Sequence, residues 1–113
     1  MNRHVLTVDL RHDPAAIDAY VKHHERVWPE VLESLRRAGI RAMDIYLLDR
    51  RLVMVVEIEG GVDVRQAFAT HMAAGGPRVT EWERLMKSLQ DPPPGASPGA
   101  GWTPMQSVFH FEA

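Results

Sequence analysis

The 113-residue chain contains no cysteine, which excludes disulfide bonds, thiolate catalysis and zinc–thiolate sites together. It also has no basic excess, because 13 Lys and Arg residues stand against 15 Asp and Glu residues, so nucleic-acid binding is not expected. No run approaches the ~18 apolar residues of a membrane span. The first residues lack the apolar core of a signal peptide. These absences predict a cytoplasmic protein with neither nucleic acid nor membrane as a partner.

The composition that remains is that of an ordinary globular protein, with 45% hydrophobic and 25% charged residues. The length predicts one domain over residues 1–113. Residues 91–104 differ from the rest because they hold five of the eight prolines and three glycines, which predicts a long loop without regular structure. A domain this small leaves much of its surface wet, which favours a partner subunit.

Alternating apolar residues predict four strands, and apolar steps of three and four predict the helices between them. The first helix begins at Asp13-Pro14, is interrupted near Val27–Trp28 by Pro29, and ends at Gly39. The order β-α-β-β-α-β indicates an α+β, ferredoxin-like subunit with strand order 4-1-3-2 and helices on one sheet face. The predicted strands are Val5–Leu10, Ile40–Leu48, Leu52–Glu59 and Met105–Phe111, and the later helices are Val62–Met72 and Arg78–Leu89.

The strand that follows the predicted hairpin loop, Asp49-Arg50-Arg51, is apolar on both of its faces over Leu52–Val56. Helices cover only one face of a sheet of this topology. The other face has to be wet, hold a ligand or pack against another subunit. We therefore expect a homodimer in which the uncovered sheet face is buried.

His24 lies on the apolar stripe of the first helix, one turn after Tyr20 and one turn before Trp28. An imidazole that faces inward needs a hydrogen-bond partner. Two interpretations follow: a core histidine bonded to a backbone carbonyl, or a general acid/base beside two aromatic rings. The neighbouring His23 is expected to be solvated. The six histidines show no metal-ligand spacing, so no metal site is expected.

Other polar and aromatic positions leave similar alternatives open. Tyr20 and Tyr46 are either core aromatics whose hydroxyls reach water or contacts to a ligand. Trp82, on an amphipathic helix, is either a core residue or a platform for a ligand. Asp44 stands in mid-strand, where acidic residues are rare, and either lies on an open face or pairs with a basic side chain such as Arg41.

The stretch Tyr20-x-x-x-His24-x-x-x-Trp28-Pro29-Glu30 resembles the L-rhamnose mutarotase family. The resemblance extends over nearly the whole chain. It implies a dimeric α+β barrel built from ferredoxin-like subunits. It also implies an isomerase of carbohydrate metabolism that interconverts the α and β anomers of a free sugar without a cofactor. The supporting matches are Leu35…Gly39, Ile45-Tyr46-Leu47, Glu57, Trp82-x-x-x-Met86 and Val108-Phe109.

The same resemblance implies roles for individual residues. The histidine that matches His24 is a proton donor, and the tyrosine that matches Tyr20 contacts the sugar. The family's second sugar-binding tyrosine is replaced here by Met43, and its tryptophan pair reads Trp82-Glu83. Because two sugar contacts are altered, we expect activity on L-fucose as well as, or instead of, L-rhamnose.

Mutarotation also needs a second proton-transfer group, and the sequence leaves His110, Asp44 and Tyr46 as candidates for it. Tyr46 and His110 are further candidates for contacts to the sugar. Two other functional classes share the expected fold: a cofactor-free oxygenase for aromatic substrates and a non-catalytic dimer that binds a small ligand. Polar residues suit a sugar better than a polyaromatic substrate, and the sequence offers Asp44, Glu57, Glu83 and His110.

Overall fold

The computed structural model describes residues 2–113, and it confirms the predicted α+β class. In chain order the elements are β1 (Asn2–Leu10), α1 (Pro14–Glu25), α2 (Pro29–Arg37), β2 (Ile40–Leu48), β3 (Arg51–Ile58), α3 (Val64–Ala74), α4 (Pro77–Ser88), β4 (Gln90–Asp91) and β5 (Thr103–Pro104). The strands form an antiparallel sheet in the order β2-β3-β1-β4, and β5 also pairs with β1. None of the helices is long and apolar enough to cross a membrane.

The interruption of the first helical segment occurs where the proline requires it. The Asp13 carboxylate caps α1 by accepting a hydrogen bond from the amide of Ala15 at 3.0 Å. The helix ends at Glu25, and α2 begins at Pro29 because proline lacks the amide hydrogen that a continuous helix would need. Gly39 follows α2 with a φ of 95°, a left-handed conformation that favours glycine. The predicted helix interruption and helix end are both confirmed.

The predicted last strand is wrong. Residues 105–113 form no strand and are exposed, with Val108 at 89% and Phe109 at 81% exposure. The two ends of the long loop pair with β1 instead, Gln90–Asp91 along Asp9–Leu10 and Thr103–Pro104 along Leu6–Thr7. Residues 91–104 were expected to have no regular structure, but the two ends of this loop are paired with β1. Alternating apolar residues indicate an extended backbone, but they do not reveal which part of a sheet edge is still free.

The helices cover one face of the sheet, and the core lies between them. Along β3, Leu52, Met54, Val56 and Ile58 face the helices and are buried, whereas the alternate residues face the other way and are half-buried. On that uncovered face, Val53 lies opposite Tyr46 of β2, which is 61% exposed. The uncovered face therefore carries apolar side chains that are accessible in the single chain.

The junction between α3 and α4 allows no side chain at Gly75. A Cβ atom placed there would lie 2.6 Å from both the carbonyl oxygen of His71 and Cγ2 of Val79. We predict that Gly75→Ala lowers the free energy of unfolding by about 1–3 kcal/mol, because the two helices have to move apart. Denaturant unfolding at one fixed protein concentration measures the change.

Gly60→Ala is the matched control for this substitution. Within residues 2–113, no atom other than those of Gly60 and its two chain neighbours lies within 4 Å of a Cβ built at Gly60. The control should leave stability unchanged or raise it by less than about 1 kcal/mol. Equal stabilities for the two variants would contradict the close packing at Gly75.

Candidate active site

A cavity of about 660 Å³ lies between the helices and the covered face of the sheet. Helix α1 contributes Tyr20 and His24 to its wall, and α4 contributes Trp82 and Glu83. Met43 enters from β2, on the same face of that strand as Ile45. Two further residues line the cavity: Gln90, just before the long loop, and Trp102, within it. The cavity therefore joins aromatic surface with a few polar groups, as small-molecule sites commonly do.

The His24 ring is fixed by a hydrogen bond within its own helix. Its Nδ1 lies 2.8 Å from the carbonyl oxygen of Tyr20. A carbonyl oxygen can only accept a hydrogen bond, so Nδ1 carries the proton and Nε2 of the neutral ring keeps its lone pair. His24 thus has the backbone partner expected of a core histidine, and it also lines the cavity as expected of an acid/base group.

Burial lowers the pKa of His24, and the charge of His23 lowers it further. The hydrogen bond to the Tyr20 carbonyl and the charge of Glu83 oppose this shift without cancelling it. His24 is therefore neutral at pH 7, and its Nε2 is available to accept a proton.

The phenol of Tyr20 shifts in the opposite sense. Burial raises the pKa of Tyr20, the charge of Glu83 raises it further, and a hydrogen bond with Gln90 acts against both. The phenol keeps its proton at physiological pH and can donate a hydrogen bond. The Tyr20 and His24 rings stack with their centroids 4.2 Å apart, so a protonated hydroxyl and a neutral imidazole belong to the same wall.

Aromatic rings that meet edge to face form the other side of this wall. Trp82 is buried, and it meets the His24 ring edge-on at 5.4 Å and the Trp28 ring at 5.1 Å. The guanidinium of Arg78 lies 3.7 Å above the Trp28 ring, a cation–π contact that closes the stack from outside. His23 also approaches Trp82, with 6.2 Å between the ring centroids, and it is half-buried, so it is less solvated than expected.

Three residues considered for the site lie elsewhere. Tyr46 and Asp44 are exposed on the uncovered sheet face, because side chains alternate along β2 and Met43 and Ile45 take the cavity side. His110 lies in the exposed segment after β5, with its Nε2 3.3 Å from a carboxylate oxygen of Glu112. None of these three candidates for the second proton-transfer group reaches the cavity.

Two neighbouring acidic side chains have ordinary ion-pair partners. Glu57 pairs with Arg3 at 3.3 Å, and Arg41 pairs with Glu59 rather than with Asp44. Within residues 2–113, no three histidine or carboxylate side chains come together as a metal site would need.

His71, for which no role is predicted from the sequence, is connected to the cavity wall in the structure. Its Nδ1 lies 2.7 Å from Oγ of Ser34, and its Nε2 lies 2.9 Å from Oε1 of Glu83. The sequence contains an indication of this role, because His71 shares a helix face with Val64, Ala67 and Phe68. A polar ring on a buried helix face needs hydrogen-bond partners.

Comparison with known proteins gives consistent results. A family model described as L-rhamnose mutarotase matches residues 3–111. The chain is 38% identical over 111 residues to an L-fucose mutarotase of Xanthomonas campestris pv. campestris, covering 96% of this chain and 87% of the relative.

Solved structures show where else this fold occurs. The crystal structure of an L-rhamnose mutarotase from Formosa agariphila superposes with a TM-score of 0.68 at 21% identity, covering 99% of this chain and all of that one. An antibiotic biosynthesis monooxygenase superposes with a TM-score of 0.55 at 20% identity, covering 95% of this chain and 99% of that one. These two likenesses show the fold.

We predict that the imidazole of His24 titrates below its ordinary pKa of 6.5, because burial disfavours the charged ring. Glu83→Gln should lower the midpoint further, since the carboxylate charge now favours the protonated ring. NMR titration of the histidine ring protons measures both midpoints. A midpoint at or above 6.5 in the unsubstituted protein would contradict this description of the site.

Proposed function

Because the chain belongs to the L-rhamnose mutarotase family, we propose that it is an isomerase that interconverts the α and β anomers of a free 6-deoxy-L-sugar. The observation that carries the proposal is the state of His24. It is a neutral imidazole whose Nδ1 is held by a carbonyl and whose Nε2 has no hydrogen-bond partner within residues 2–113, in a cavity with an aromatic wall. Such a group can take a proton from a sugar hydroxyl and return it.

In the proposed reaction, Nε2 of His24 takes the proton of the anomeric hydroxyl. The C1–O5 bond breaks, C1=O1 forms, and O5 receives a proton. Tyr20 is suited to supply that proton, because its phenol lines the cavity beside His24 and stays protonated. After rotation about C1–C2, O5 attacks the other face of C1, Tyr20 recovers its proton and the His24 imidazolium protonates O1. The histidine acts as base in ring opening and as proton donor in ring closure.

The preferred sugar depends on the two positions where this chain departs from the family pattern. Met43 and Glu83 both line the cavity, where the family has a tyrosine and a tryptophan. A carboxylate accepts hydrogen bonds from hydroxyl groups and an indole does not. We therefore expect L-fucose to be accepted as well as, or instead of, L-rhamnose, in keeping with the relative from Xanthomonas. A cavity shaped for an aromatic substrate of an oxygenase would not need the carboxylate.

We further propose that two copies of the chain associate through the uncovered sheet face. Tyr46 and Leu48 are exposed on that face of β2, and Val53 and Val55 of β3 continue it. The segment after β5 adds the exposed side chains of Val108, Phe109 and Phe111. Burial of so much apolar surface against a second copy would stabilise the dimer.

We predict that His24→Gln lowers the rate of anomer exchange by about 10²–10⁴-fold, because the variant has no group that can take and return the proton. Circular dichroism should show an unchanged fold. NMR exchange spectroscopy on L-fucose and on L-rhamnose measures the rate directly. In the unsubstituted protein the rate should fall as pH falls through the lowered pKa of His24, because protonation occupies Nε2.

His12→Ala is the control for this variant, since His12 is exposed and does not line the cavity. It should exchange both sugars at the unsubstituted rate. A folded His24→Gln variant that retained the rate would reject the role of His24, and an unsubstituted protein that exchanged neither sugar would reject the proposed function.

We predict that the protein sediments as a dimer at micromolar concentration and that Tyr46→Asp combined with Leu48→Asp yields a monomer. Two carboxylates on the uncovered sheet face would have to lose their water in the dimer. Met72→Asp is the control, because Met72 is similarly apolar and partly exposed but lies on helix α3. It should leave the dimer intact. A monomeric unsubstituted protein would contradict the proposed association.

A further inference from the structure

A chain of two hydrogen bonds joins three helices behind the cavity. Ser34 of α2 contacts Nδ1 of His71 at 2.7 Å, and Nε2 of His71 contacts Oε1 of Glu83 at 2.9 Å. Ser34 and His71 are buried, with His71 only 1% exposed, whereas the Glu83 side chain is 31% exposed. The two hydrogen bonds therefore connect the buried interior to a carboxylate in the cavity wall.

We propose that His71 and Ser34 are positioning residues that hold the Glu83 carboxylate as the acceptor for one hydroxyl of the sugar, and that they thereby determine which 6-deoxy-L-sugar is preferred. This inference rests on the proposed function. His71 and Ser34 do not touch the sugar and act only through Glu83.

The hydrogen-bond chemistry fixes the direction of this chain. Oxygen Oγ of Ser34 lies 2.7 Å from Nδ1 of His71 and 3.4 Å from its carbonyl oxygen. If the Ser34 hydroxyl donates to Nδ1, the neutral ring carries its proton on Nε2. A carboxylate oxygen can only accept a hydrogen bond, so the contact of 2.9 Å between Nε2 of His71 and Oε1 of Glu83 requires the proton on Nε2. Nε2–H therefore donates to the Glu83 carboxylate.

Holding one oxygen of Glu83 leaves the other for a ligand. A glutamate side chain has three rotatable bonds, and without a partner it would lose entropy on meeting a sugar hydroxyl. Within residues 2–113, the hydrogen bond of Glu83 goes to Oε1, and none reaches Oε2. L-fucose and L-rhamnose differ in configuration at C2 and C4, so a fixed acceptor can distinguish them by the direction of one hydroxyl. A site built around a hydroxyl discriminates strongly.

The same three residue types occur in hydrolases that use a serine nucleophile, but the arrangement here does not suit that chemistry. Ser34 is buried inside the helix layer, and its hydroxyl is absent from the cavity wall. Of the three hydrogen-bonded residues Ser34, His71 and Glu83, only Glu83 lines the candidate active site. Positioning of the carboxylate is therefore the role that the burial pattern supports.

The test compares His71→Leu with His71→Gln. Leucine fills the site without a donor, whereas glutamine retains an N–H that can reach Glu83. We expect His71→Leu to raise KM for L-fucose about ten-fold or more with little change in kcat, because a loosened contact weakens sugar binding. The constants for L-rhamnose should change less than two-fold. His71→Gln should restore most of the L-fucose preference, and circular dichroism confirms folding.

A double-mutant cycle with Glu83→Ala distinguishes a positioning role of His71 from a role in the stability of the fold alone. If His71 acts through Glu83, His71→Leu should shift the ratio of kcat/KM for the two sugars in the native background and not in the Glu83→Ala background. Ser34→Ala should shift the ratio in the same direction, and it replaces His71→Leu if that variant does not fold.

The outcomes distinguish this inference from the proposed function. An unsubstituted protein that exchanges neither sugar overturns the proposed function. If it exchanges both sugars and neither His71→Leu nor Ser34→Ala moves their ratio, the positioning role alone is overturned. The positioning role would also be overturned if His71→Leu lowered kcat/KM equally for both sugars, with Glu83 present and with Glu83→Ala. Such a result would show that His71 only supports the fold.

Discussion

The helices cover one face of an antiparallel sheet and leave the other open, and both candidate functional surfaces follow from this arrangement. On the covered face, the side chains of Leu52 and Met54 meet the helix layer, and the space left beside them is the cavity. On the open face, no layer of residues 2–113 covers Tyr46 and Val53. Strand β3 therefore contributes to the cavity wall and, through its alternate residues, to the open face through which we propose that two copies associate.

Burial controls the chemistry of the cavity as well as its shape. The same removal of water that lowers the pKa of His24 raises the pKa of Tyr20, since in each case the charged form is disfavoured. At pH 7 the pair consists of a neutral base and a protonated phenol. These are the two states that the proposed opening of a sugar ring uses.

The fold does not by itself identify the reaction, since a monooxygenase superposes on nearly the whole chain. The side chains in the cavity are more informative. Glu83 lies in the cavity wall, and His71 of α3, itself in contact with Ser34 of α2, donates a hydrogen bond to its carboxylate. These contacts limit the positions that the carboxylate can take. A carboxylate held in this way is expected to act on sugar preference more than on proton transfer.

The sequence by itself determined the features that depend on neighbouring residues. Pro29 interrupts the helix, Gly39 ends it, and the spacing of one helical turn stacks the His24 ring on Tyr20. The second aromatic ring against His24 is that of Trp82, which comes from a distant helix. Only the tertiary structure decided which distant residues share the cavity. Tyr46 lies on the wrong side of its strand, and the ends of the long loop occupy the sheet edge that residues 105–111 were expected to fill. The contact between Ser34 and His71 spans 37 positions, and such contacts depend on how helices pack rather than on local periodicity.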